Sequence, residues 1–172
     1  DAILADPLDS EMKKQGMNLV TGATPKAVSK EDDGTLTLEL ENGEKHTGFD
    51  SIVMAIGREP LVDPLGLDKA GVAMQKGSKY IEADECQNTN VDGVYALGDV
   101  CGNIELPPMA IAAGRRLSDR LFGGIKDSKA DYDLVPTVIF SHPTIGTIGL
   151  SEHEAREKYG DDEIKCYTST FV

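Results

Sequence analysis

Thr89-Asn90-Val91-Asp92-Gly93-Val94-Tyr95-Ala96-Leu97-Gly98-Asp99 reads as a turn feeding a short apolar strand that stops on Gly-Asp, with a helix opening downstream near Pro108-Met109. In open α/β sheets ligands bind at the carboxyl ends of the strands, so an acid there faces a crevice and not the core. Asp99 is therefore the first candidate for a ligand contact. Its carboxylate can accept hydrogen bonds from sugar or polyol hydroxyls, and Gly98 lets a ligand approach the backbone closely. The structural alternative for an acid after a strand is a turn or helix cap.

Working outward, Met109, Ile111, Ala112, Leu117, Leu121 and Phe122 fall mostly at helical spacing and Gly123-Gly124 ends the run, which predicts a helix over 109–122. Upstream, residues 9–15 predict a short helix with Ser10 as N-cap and Gly16 as its stop. Strands are expected at 19–21, 27–29 and 35–40, with Asn42-Gly43 supplying the positive φ angles of a tight hairpin, so this part reads as a small antiparallel meander. Residues 51–56, 80–81 and 94–96 read as further strands, and the Gly-, Pro- and Asp-rich stretch 58–79 as a long surface connection. After a polar connector, residues 136–140 and 147–150 read as strands. Ser151 and Glu154, three apart, form a capping-box signature for a helix to Tyr159, and 164–171 reads as a last strand.

The chain has 172 residues, enough for one ordinary domain or pieces of two or three. No apolar run approaches a membrane span, and no basic, apolar, small-residue leader stands at the start. The opening Asp1-Ala2-Ile3-Leu4 lacks an initiator methionine, which suggests a cut chain. Thirty acids against seventeen bases give a net charge of −13, which argues against nucleic-acid binding. Cys86, Cys101 and Cys166 match neither a Cys-x-x-Cys pair nor a metal-ligand spacing, so they read as reduced structural thiols in a reducing compartment, taken as the cytoplasm, with no metal site.

Three blocks together resemble the pyridine nucleotide-disulfide oxidoreductases, and within them the glutathione reductases. The stretch ending at Asp99 is similar to the family's second FAD motif, whose Asp meets the ribityl chain. Asp50-Ser51-Ile52-Val53-Met54-Ala55-Ile56-Gly57-Arg58-Glu59-Pro60 is similar to the strand closing its NAD(P)H domain, and Pro136-Thr137-Val138-Ile139-Phe140-Ser141-His142-Pro143 to the start of its interface domain. The likeness runs from about residue 49 to the end and is looser upstream. It implies an α/β fold: a FAD/NAD(P)-binding, Rossmann-like three-layer fragment with an antiparallel meander and the beginning of an α+β dimerisation domain. The implied division is 1–57, the end of the NAD(P)H-binding domain; 58–134, the second half of the FAD-binding domain; and 135–172, the start of the interface domain.

The resemblance further implies FAD and NADPH as cofactors, glutathione disulfide as substrate and a homodimer. Cofactor contacts fall on Gly98 and Asp99, on Pro107 where the helix begins, on Glu105 through its main chain, on Gly57, and on Val138 at the nicotinamide end. Arg58 is read evenly between a phosphate contact and a solvated cation. Arg115, in Ala112-Ala113-Gly114-Arg115, is similar to the Arg that binds a carboxylate of glutathione disulfide, and a guanidinium fork suits that planar anion. Pro107 departs from the family's usual Thr, whose N–H donates to the flavin; proline has none. The helix N-terminus, with free N–H groups and a positive dipole end, is expected to favour negative charge on the flavin. His142-Pro143 is assigned to structure, with a cis bond expected at Pro143. Neither the Gly-x-Gly-x-x-Gly fingerprint nor the family's redox cysteine pair occurs. No catalytic residue is therefore expected in this chain, which taken alone should not turn over.

Overall fold

The computed structural model describes residues 2–169 and Phe171. It divides into two compact units, one made of Asp1–Ala55 with Leu134–Val172 and the other of Ile56–Asp133.

In the first unit, α1 spans Ala2–Lys14. It starts earlier than the sequence predicts, so Ser10 is internal and not an N-cap; its hydroxyl donates to the Asp6 carbonyl at 2.9 Å. Gly16 ends the helix as expected, at φ +86. The meander is β1 (Pro25–Lys30), β2 (Leu36–Leu40) and β3 (Lys45–Phe49), antiparallel in the order β1-β2-β3. Residues 19–21, expected as a strand, form no ladder and stay outside it. The β2–β3 turn differs as well: only Gly43 has positive φ (+85), its N–H donates to the Leu40 carbonyl at 2.9 Å, and Leu40 N–H meets Glu44 O at 2.9 Å. That is a three-residue loop with a glycine bulge, and not a two-residue hairpin.

Beyond residue 134 the unit adds β4 (Thr137–Ile139) antiparallel to β5 (Ile145–Thr147), then α3 (Glu152–Tyr159). The His142-Pro143 bond is cis, as expected. Both arms of the α3 capping box are made: Glu154 N–H donates to Ser151 Oγ at 3.3 Å, and Ser151 N–H to Glu154 Oε2 at 2.8 Å. Residues 164–169 form no strand.

The second unit has a small core of Val62, Val72, Ile81, Ala96 and Cys101. Stretch 58–79 is thus not only surface, since Val62 and Val72 are core residues. Residues 80–81 and 94–96 form only isolated antiparallel bridges, Met74 with Ile81 and Asn88 with Tyr95, and residues 51–56 form no ladder at all. A parallel sheet needs strands alongside each of these segments, and none of the described residues supplies them. Against this core packs α2, Pro107–Phe122. Its inward face carries Ala113, fully buried, and Gly114, where an added Cβ would lie 3.9 Å from Leu97 Cδ2.

Candidate cofactor site

The segment leading to Asp99 is held by side chains that take the place of sheet hydrogen bonds. The Asp84 carboxylate accepts the backbone N–H groups of Cys86 and Asn88, both at 2.8 Å, and the Asn88 amide at 2.9 Å. Burial works to raise the Asp84 carboxyl, but these hydrogen bonds and the nearby Arg120 guanidinium outweigh it and hold the group below its ordinary value. From α2, Arg120 donates to Cys86 O at 2.6 Å and to Asn88 Oδ1 at 2.9 Å, and lies 5.7 Å from the Tyr95 ring centroid. Asn90 ties in the other side, donating to Gly71 O at 2.8 Å and accepting from Ala73 N–H at 2.7 Å.

Gly98–Cys101 follows as a 3-10 turn. Gly98 has φ +74, and a Cβ on it would lie 3.0 Å from Ala110 Cβ, so the missing side chain allows this turn to press on α2. Asp99 is exposed on that turn; its carbonyl accepts from Gly102 N–H at 3.0 Å, and its carboxylate has no hydrogen bond or ion pair among the described residues. A solvent-facing carboxylate on this turn can accept hydrogen bonds from polyol hydroxyl groups. Gly98 thus lies against α2, and Asp99 follows it on the exposed turn.

The helix tip itself differs from expectation. Pro107 and Pro108 occupy its first two positions and have no N–H; the next, Met109 N–H, donates to Leu106 O at 2.9 Å, and Leu106 N–H to Ile104 O at 2.8 Å. What remains is the dipole, without the free donors expected there.

Glu105 lies on the loop into α2, exposed, its Oε1 accepting from the Tyr80 hydroxyl at 2.7 Å. That bond foremost, then burial, then the negative charges of Glu105, Asp99 and Glu59, push the Tyr80 phenol above its ordinary value. Gly57, at φ +135 with open space where a Cβ would stand, belongs to the same unit. Two residues on, Glu59 pairs with Lys79 at 3.0 Å. The charges of Glu105, Asp99 and Glu59 thus all act on one tyrosine. Tyr80, Asp84 and Arg120 were not singled out from sequence, although the Asp84-x-x-x-Asn88 spacing is a recognisable side-chain turn.

Arg115 stands elsewhere. It is on the outward face of α2, one turn past the half-exposed Ile111, and has no partner among the described residues, whereas Arg116 pairs with Asp119 at 3.3 Å. Val138 is in β4, paired with Gly146 in the other unit.

Family models decide the relationship. The pyridine nucleotide-disulphide oxidoreductase model matches residues 1–114, and the dimerisation-domain model of the same oxidoreductases matches 135–172. The chain belongs to the pyridine nucleotide-disulphide oxidoreductases. Two members of known activity are similar along its whole length: a glutathione reductase of Yarrowia lipolytica, 47% identical over all of this chain, and one of Schizosaccharomyces pombe, 48% identical over 99% of it. The chain spans 37% of the length of each. Among solved structures, the HOCl-induced flavoprotein disulfide reductase RclA from Escherichia coli, as its Cu(II) complex, superposes with a TM-score of 0.83 at 26% identity, over 94% of this chain and 36% of that one. For this oxidoreductase chain the α/β class with an antiparallel meander stands.

Proposed function

We propose that this chain is part of an NADPH-dependent FAD flavoenzyme that reduces glutathione disulfide to two molecules of glutathione. The observation that carries the reading is the 47–48% identity, across essentially every residue, with two glutathione reductases. The similarity to RclA at 26% supports the flavoprotein disulfide reductase class without favouring its narrower function. In this reading residues 1–57 close the NADPH domain, 58–134 complete the FAD domain and 135–172 begin the interface domain of a homodimer. Three free cysteines agree with a reducing compartment, which we take as the cytoplasm.

FAD, when bound, passes two electrons from NADPH towards a disulfide. The residues of this chain bind and orient. Asp99 accepts hydrogen bonds from the ribityl hydroxyls, beside a turn that Gly98 lets close onto α2. The dipole of α2 favours negative charge at its tip, though Pro107 brings no N–H there. Glu105 offers its main chain to the nicotinamide end, with Gly57 and Val138 as further cofactor contacts. Arg115, unpaired on an exposed face, is free to take a carboxylate of glutathione disulfide by a two-pronged contact.

In the full-length protein, Arg115→Ala should raise KM for glutathione disulfide about tenfold or more, the scale of one lost charged hydrogen bond, while NADPH oxidation by artificial acceptors is spared. Unchanged disulfide kinetics would refute the assignment of substrate.

A further inference from the structure

Tyr80 joins features that otherwise sit on separate segments. Its ring lies flat against Gly102: a Cβ on that glycine would fall 2.7 to 2.9 Å from three ring carbons. Its hydroxyl donates to Glu105 Oε1 at 2.7 Å. The bases of both contacts are anchored. Ile81 N–H donates to Val100 O at 2.9 Å, and the Gln75 amide donates to Cys101 O at 2.7 Å, so the segment bearing Tyr80 is tied to the turn bearing Asp99. Between Gly102 and α2 no strand pairs with the loop, and its other holds are an Asn103 hydrogen bond to the Tyr132 hydroxyl and the Leu106 N–H bond to Ile104 O at 2.8 Å. At Glu105 the side-chain tether is the Tyr80 hydroxyl.

We propose that Tyr80 is a positioning residue for residues 102–106: its ring covers Gly102 and its hydroxyl holds the Glu105 carboxylate aside, so that the main chain of Glu105 is presented in a single place. The inference rests on the proposed NADPH-dependent reductase, in which that main chain borders the nicotinamide. Tyr80 itself touches no cofactor. Its effect therefore belongs in NADPH binding and not in turnover at saturation.

The test uses the full-length protein with Tyr80→Phe, which keeps the ring over Gly102 and loses only the hydroxyl, with Glu105→Ala, and with the pair combined. NADPH oxidation by an artificial acceptor and amide hydrogen exchange at residues 102–106 are measured on each. Tyr80→Phe should raise KM for NADPH three- to tenfold with kcat and flavin content held, and should speed exchange in the loop by a similar factor. The double variant should be no worse than Glu105→Ala alone, because the two side chains act as one unit. Glu105→Gln, whose amide oxygen still accepts the phenol proton, should keep the slow amide exchange of the loop. Unchanged loop exchange in Tyr80→Phe overturns the positioning role whatever the kinetics. Effects that multiply in the double variant do the same. A wild-type protein that oxidises no NADPH would sink the enzymatic reading instead, and the exchange measurement would still decide Tyr80.

Discussion

Gly102 and Gly57 both sit in the left-handed half of backbone space, at φ +64 and +135, yet they answer to different constraints. At Gly57 only the backbone objects to a side chain, since no atom lies near the Cβ position; at Gly102 the Tyr80 ring fills that position as well. Gly102→Ala should therefore cost about 1 to 3 kcal/mol, the scale of combined backbone strain and overpacking, read by urea unfolding, and Gly57→Ala should cost less. The cysteines divide in the same way. Cys101 is only 3% exposed, and burial pushes its thiol up, which disfavours the reactive thiolate. An aromatic disulfide reagent should label Cys166, which is exposed, in the native protein and reach Cys101 only on unfolding. Equal labelling of both would contradict that packing.

Helix ends carry the element-scale consequences. In α3 the Ser151 backbone N–H first, and then its hydroxyl, hold the Glu154 carboxyl below its ordinary value. A carboxyl whose folded pKa is depressed contributes stability that is complete above its unfolded pKa and lost as pH falls through the folded one. Amide exchange at Ala155, bonded to Ser151 O at 2.9 Å, should accordingly speed up on acidification through that window, and Glu154→Gln should flatten the dependence. Ser151→Ala should destabilise α3 by about 1 kcal/mol at neutral pH. In α2 the two prolines preorganise the first turn and remove its donors. Pro107→Thr should thus tighten flavin retention in the full-length protein by roughly two- to tenfold, the range of one net hydrogen bond, as followed by flavin release under urea. No gain in retention would mean that the tip does not face the flavin.

Across the whole molecule, no large side chain of the described residues is completely buried, while Val53, Ile56, Leu61 and Phe122 are each about four-fifths exposed or more. Large apolar side chains left so exposed are ones meant to be covered. The 172-residue chain by itself should bind a hydrophobic dye strongly and unfold at low urea, and the full-length protein should do neither. Weak dye binding by the isolated chain would show that those side chains find cover within it. How much was legible in advance follows interaction range. Helix α2, a glycine turn after β2 and the α3 cap are legible from neighbours within a few residues. Those signals are local because capping, i to i+4 packing and turn formation involve only nearby backbone. Other features depend on partners far away in the chain. Residues 51–56 and 94–96 have the composition of strands, yet a ladder exists only where a second strand lies alongside, and here they have single bridges or none. Likewise no spacing rule connects Tyr80 to Glu105, twenty-five residues on, or Arg120 to Cys86, thirty-four residues back. The sequence by itself determined the family and the short-range elements. The tertiary structure alone decided which apolar segments are paired, which are left open, and which side chains hold the loop before α2, because those outcomes depend on distances in space that no local pattern encodes.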